Sequence, residues 1–196
     1  SHGGGGGRLS LFSQRWGLVT SDPWVLQTIT SGYRLEFTSP PPRHFVSRTT
    51  PLPKDHGKRS ALLEEVHQLL RKGAIERVHP SEVIFTSNFF LTTKKSGEWR
   101  PILNLRALNK YIKPKKFKMQ SLAAVLPELR KNWWGASLDL KDAYLHIAIA
   151  PSDRRWLGFS INERTYRFKS LPFRLSTAPR TFTRIEIGRA SCRERV

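Results

Sequence analysis

The chain has 196 residues, with 34 Lys or Arg against 15 Asp or Glu, a formal net charge of +19 and 38% apolar residues. That length suits one domain, no apolar run reaches a membrane span, no signal peptide opens the sequence, and one cysteine cannot make a disulfide framework. The expectation is an intracellular protein of cytoplasm or nucleus with a polyanionic partner; nucleic acid leads, although a membrane-surface or ribosomal role would match the charge alone.

Gly3 to Gly7 is a flexible low-complexity run, and Arg8 to Val19 carries a patchy apolar face. Ser21-Asp22-Pro23 predicts a helix start, with a capping side chain and a proline in the first turn. Trp24, Val25, Leu26 and Ile29 would form its apolar face, and Gly32 would end it. Tyr33 to Phe37 alternates like a strand, and Pro40-Pro41-Pro42 breaks regular structure. Residues 1–50 therefore read as an N-terminal extension: a Gly-rich start, then a small helix and strand segment. Residues 51–59 read as a polar linker.

An amphipathic helix is predicted over Ser60 to Lys72, with Ser60 as cap. Leu62, Leu63, Val66, Leu69 and Leu70 recur at helical spacing, and Gly73 takes the C′ position. Ala74 to Val78 reads as a short strand. Phe89 to Thr93 and Trp99 to Leu103 read as hairpin arms around a Lys94–Glu98 turn. The hairpin carries Lys94 and Lys95 on one side and Arg100 on the other. This suits a triphosphate, because Arg offers a bidentate fork and Lys a point charge. An ordinary basic surface hairpin would read the same way. From Lys94 to Lys118 there are nine Lys or Arg and one acid, Glu98, interleaved with Tyr111 and Phe117. Such a run suits a nucleic-acid backbone and stacked bases, with Lys110, Lys113, Lys115, Lys116 and Lys118 as candidate contacts. A solvated basic face would explain the charge but not the clustering.

Ser121 to Arg130 is a predicted helix, kinked or shortened by Pro127. After a Trp133-Trp134-Gly135 turn, Ala136 to Leu140 is a short apolar run with Asp139 near its end. A carboxylate in a buried strand is costly unless something positive satisfies it. Mg²⁺ is a fitting partner, since it takes one or two carboxylates together with substrate phosphates. Standing alone, Asp139 would read as a strand-end or capping acid. Ala150 to Asp153 is a turn, and Trp156–Ile161 with Thr165–Phe168 makes a second hairpin around Asn162-Glu163. Leu171 to Phe182 ends in a helix start, with Ser176 or Thr177 as cap and Pro179 in the first turn.

The Ser137–Ile149 string resembles the first catalytic motif of reverse transcriptases, the LDLKxAY of retrotransposon polymerases. Leu171–Phe182 resembles their LPFGLxxAPxxF motif, with Arg174 where the family has glycine. The Lys94–Arg100 hairpin resembles KKDGxWR of the polymerase fingers, and Asn104–Asn109 resembles DxRxLN, with Asn104 in place of Asp. Leu69 to Val78 resembles the start of the fingers, and the region before Pro42 resembles the segment preceding the polymerase core in DIRS-type retroelements. The likeness covers about residues 60–185.

What the resemblance implies is an α+β fold: reverse-transcriptase-like fingers and an incomplete palm, with an antiparallel sheet packed on helices. It implies an RNA-directed DNA polymerase, an RNA or DNA template-primer and deoxynucleoside triphosphates as partners, and two Mg²⁺ ions in the parent protein. Asp139 would be catalytic and, with the Leu140 carbonyl, would bind metal. Lys94 or Lys95, Arg100, Asp142, Ala143, Tyr144, Phe173 and Arg174 would face the nucleotide, with Tyr144 as the gate against a 2′-hydroxyl. Arg106 would lie near the template. An arginine at 174 would crowd the pocket; a decayed element, a one-base sequencing error and a real variant would each account for it.

No Asp-Asp pair occurs in the 196 residues, so the YxDD carboxylates that complete the two-metal site are missing and the fragment is expected to be inactive. Residues 186–196 continue no pattern and read as the translation of a sequencing-library adapter, hence as an artefactual tail. The tail holds three Arg and two Glu, so nearly all of the positive charge lies outside it. Two rival readings are a non-catalytic basic nucleic-acid-binding module and a non-functional translated fragment. The first explains the charge and aromatics but not the Asp139–Tyr144 string.

Overall fold

A computed structural model of the chain describes residues 23–46, 51–113, 144–172 and 175. The predicted helix over 121–130, the strand over 136–140, the helix start at 176–179 and residues 186–196 lie outside them.

Helix α1 spans Pro23–Ser31, as its proline and the following glycine predicted. Val25, Thr28 and Ile29 are buried at helical spacing. Gly32 ends the helix at φ +88°, and a Cβ there would sit 2.7 Å from the Ala150 backbone nitrogen. Only glycine meets both demands.

Helix α2 spans His56–Arg71, four residues longer at its start than the sequence suggested. The cap is Asp55, whose Oδ1 accepts the Gly57 N–H at 3.3 Å, and not Ser60. Residues 56–59 thus leave the expected 51–59 linker, because no proline after Pro53 blocks the first turn. Leu62, Val66 and Leu69 are buried, whereas Leu63 and Leu70 are 45% and 36% exposed, so the apolar stripe is narrower than the leucines implied. At the far end Ala74 N–H reaches Leu69 O and Gly73 N–H reaches Leu70 O, a Schellman closure with Gly73 at φ +71°.

The strands are β1 (Phe45–Val46), β2 (Ile75–Val78), β3 (Phe85–Thr93), β4 (Trp99–Asn104), β5 (Gly158–Ile161) and β6 (Arg164–Phe168). They make one sheet in the order β1-β3-β5-β6-β2, with β4 also paired to β3. The described residues are α+β, but the sheet is mixed and not the antiparallel one expected. β1 with β3 and β3 with β5 run parallel. Parallel partners need a long crossover, and β5 lies more than sixty residues beyond β3.

β3 serves two pairings. Phe85–Ser87 lies between β1 and β5, and Asn88–Thr93 then pairs with β4. A 3-10 turn over Pro151–Trp156 takes Trp156 out of the predicted strand. The β5–β6 turn is made by Asn162 and Glu163, both at positive φ (49° and 67°), as two-residue hairpins require. Phe159 centres the core. Its ring stacks on Phe89 and Tyr166 at 4.9 and 5.3 Å and meets Phe168 tilted at 5.7 Å.

Tyr33–Phe37 is not a strand of this sheet. It is an extended strap that changes partners along its length. Tyr33 N–H donates to Ala148 O and Tyr33 O accepts Ala150 N–H. Leu35 N–H donates to Asp153 Oδ2 at 2.9 Å. Glu36 O then accepts Lys113 N–H, and Thr38 N–H donates to Tyr111 O. Val25, Ile29, Tyr33 and Leu35 belong to the same core as α2 and the sheet, so residues 23–37 of the expected extension are built into the fold.

Candidate functional site

The β3–β4 hairpin has two unlike faces. Phe89, Leu91 and Leu103 are buried on one of them. On that face Trp99 rests against the start of α2, where a Cβ on Gly57 would lie 2.9 Å from its Cη2. Arg100 sits opposite Thr92 on the other face, with Phe90 and Ile102 half-buried beside it. The tip closes through Lys94 N–H to Glu98 O at 2.7 Å and Gly97 N–H to Lys94 O at 2.9 Å. Lys94, Lys95 and Arg100 are exposed and form no ion pair among the described residues.

Asn104 ends β4, and its Oδ1 accepts the Arg106 N–H at 3.2 Å, opening the short helix α3 (Arg106–Asn109). An aspartate oxygen would make the same contact, so the departure from DxRxLN keeps its structural part. Leu105, Leu108 and Ile112 are buried, which turns Arg106, Lys110 and Lys113 outward. None of these three forms an ion pair among the described residues.

Of the residues expected around the nucleotide and metal, Asp139, Leu140, Asp142, Ala143, Phe173 and Arg174 lie outside the described residues. So do Lys115, Lys116 and Lys118. Tyr144 is described, and it is wholly buried in the common core. Burial holds its phenol well above the usual tyrosine range, so it stays protonated. Among the described residues no group of three or more His, Cys, Asp or Glu could hold a metal. The donors expected from the sequence, the Asp139 carboxylate and the Leu140 carbonyl, are hard oxygens, the kind of ligand Mg²⁺ takes.

Away from the hairpin, two arginines are engaged by the fold. Arg167 Nε donates to Glu76 Oε1 at 2.7 Å across the β6–β2 pair. Arg154 Nε donates to Ile149 O at 3.0 Å. Burial, first of all, pulls the Arg154 guanidinium below the ordinary arginine range; Glu76 opposes this and Arg167 adds to it. Asp153, read from the sequence only as a turn residue, anchors the strap at Leu35. Its position near the start of a proline-led turn was the available signal. A cleft of about 450 Å³ around Arg77, His79, Glu82 and Arg164 contains none of the candidate site residues read from the sequence.

The family model for reverse transcriptase (RNA-dependent DNA polymerase) matches residues 92–186, from the end of β3 through both polymerase-like motifs. The chain belongs to the reverse transcriptase family. The polyproteins of transposons Tf2-3 and Tf2-4 of Schizosaccharomyces pombe are each 30% identical to it over 135 residues, 69% of this chain and 10% of each relative. The transposon Tf2-7 polyprotein of the same organism matches to the same extent. This reverse transcriptase segment is thus of the retrotransposon kind, and it spans about a tenth of the length of the curated relatives it matches.

Proposed function

We propose that the chain supplies the fingers and the first part of the palm of an RNA-directed DNA polymerase, from a retrotransposon of DIRS or related type. The observation that carries this is the hairpin. Its inner face is packed into the core, and its outer face and tip present Arg100, Lys94 and Lys95 bare. Basic side chains left without acids on a rigid element suit a triphosphate.

In this reading Arg100 and one of Lys94 or Lys95 clamp the phosphates of the incoming deoxynucleotide. The Asp142 and Ala143 amides and the residues at Phe173 and Arg174 complete the nucleotide surface. Tyr144 excludes a 2′-hydroxyl; its ring is fully covered here, so the nucleotide must displace part of what lies over it. Arg106, Lys110, Lys113, Lys115, Lys116 and Lys118 hold the template-primer through its phosphates. Asp139 and the Leu140 carbonyl hold Mg²⁺, which, when bound, neutralises phosphate charge during nucleotidyl transfer.

The 196 residues contain no paired aspartates, so this chain alone is expected to give no primer extension with Mg²⁺ and deoxynucleotides. Extension by the isolated chain would overturn that part. The test of the main reading is Asp139→Asn. A polymerase segment should lose Mg²⁺-dependent nucleotide binding while keeping metal-free oligonucleotide binding. A non-catalytic binding module would show no difference between the two proteins.

A further inference from the structure

A second cleft, of about 290 Å³, opens where the strap turns away from the Tyr111–Lys113 pairing. Phe37, Pro40, Pro41 and Trp156 wall it, and exposed Thr38 and Arg43 border it. The Phe37 and Trp156 rings meet at 5.1 Å, inclined by 58°. Arg155 is exposed, with its guanidinium carbon 5.7 Å from the Trp156 ring centre. No acidic side chain lines the cleft among the described residues. Lys110 and Lys113, both exposed, flank the segment that pairs with the strap, so the basic run after α3 leads up to the cleft.

We infer that this cleft is a subsite for an unpaired nucleic-acid strand: one base lies against Phe37 and the prolines, and Arg43 and Arg155 take the adjoining phosphates. The inference rests on the polymerase reading, in which that strand is template beyond the paired region. Several features favour this occupant. The walls are rings and flat proline faces, which accept any base by stacking. The charge is of one sign and continues that of the fingers. A base can enter a cleft of this shape only when it is not held in a duplex. Both arginines are exposed and neither forms an ion pair among the described residues; Arg43 borders the cleft, and Arg155 lies against the Trp156 ring that walls it.

The test is fluorescence anisotropy of the 196-residue chain with a labelled single-stranded 20-mer over a range of salt. The comparison is the double variant Arg43→Gln with Arg155→Gln, with Arg106→Gln and Lys110→Gln together as reference. Loss of two phosphate contacts should weaken binding about five- to tenfold and reduce the slope of log affinity against log salt by about 1.4. A strand carrying 5-bromouracil should photo-crosslink within residues 33–43, and an abasic strand of the same length should lose much of the sensitivity to the double variant. Binding within twofold of wild type at an unchanged slope would overturn the subsite and leave the polymerase reading standing. The subsite would also be overturned if polyglutamate or the abasic strand lost as much affinity, because the cleft would then be a mere charge patch. If the wild-type chain bound no oligonucleotide and the reference variant behaved like it, the polymerase reading itself would fall, and the subsite with it.

Discussion

The β3–β4 hairpin and the β2–β6 side of the sheet both carry basic side chains, yet Arg100, Lys94 and Lys95 on the first and Arg167 on the second are used in opposite ways. Around β2–β6 two arginines have fixed partners: Arg167 on β6 holds Glu76 on β2, and Arg154 in the turn before β5 holds the Ile149 carbonyl, while Arg77 and Arg164 stay exposed. On the hairpin Arg100, Lys94 and Lys95 have none among the described residues. Charge that serves the fold is desolvated and paired; charge that serves a ligand is left in water until the ligand arrives. The strap belongs with the first group. It spends its backbone groups on two distant segments and its side chains on the core.

The comparison can be broken by substitutions on each side. The largest effect is expected at the strap. Gly32→Ala combines a left-handed φ with a Cβ 2.7 Å from a backbone nitrogen, and should destabilise by about 3 kcal/mol in urea unfolding. A loss under about 0.5 kcal/mol would mean that the strap is not docked on Ala150. Next comes Arg167→Ala. It strands the partly buried Glu76 carboxylate and should cost about 1.5 kcal/mol. Arg100→Ala should leave the unfolding midpoint where it is, and equal losses for the two would erase the contrast. Asn104→Ala removes the oxygen that receives the Arg106 N–H and should cost about 1 kcal/mol, whereas Asn104→Asp should retain most of it. Smallest is Glu163→Gly, which relieves a non-glycine residue at φ +67° and should stabilise by about 0.5 kcal/mol.

Legibility followed the range of the interactions. Pro23 and Gly32 mark the ends of α1 because caps are local chemistry. Gly97 marks the hairpin tip for the same reason, and the arms on either side were readable as strands. The start of α2 was misplaced because Ser60 and Asp55 are both good caps, and only the absence of a break between them favours Asp55. The parallel β3–β5 pairing and the strap were not legible. Their partners are separated by more than sixty residues, and no local pattern records such pairing. Arg100, Lys94, Lys95, Arg106, Lys110 and Lys113 could be picked out because a run of basic residues holding the single acid Glu98 is visible in sequence. The Phe37–Trp156 cleft could not, since its two rings lie far apart along the chain. Asp139 and its neighbours were legible as a motif, while their geometry lies outside the described residues.

The most direct measurement is equilibrium binding of a fluorescent deoxynucleoside triphosphate, in Mg²⁺, to wild type, Arg100→Ala and Arg167→Ala at a temperature where all three are folded. The expected result is at least a tenfold loss of affinity for Arg100→Ala with an unchanged unfolding midpoint, and near wild-type affinity for Arg167→Ala. Unchanged affinity for Arg100→Ala, or equal losses for both variants, would contradict the assignment of the bare hairpin face to the triphosphate.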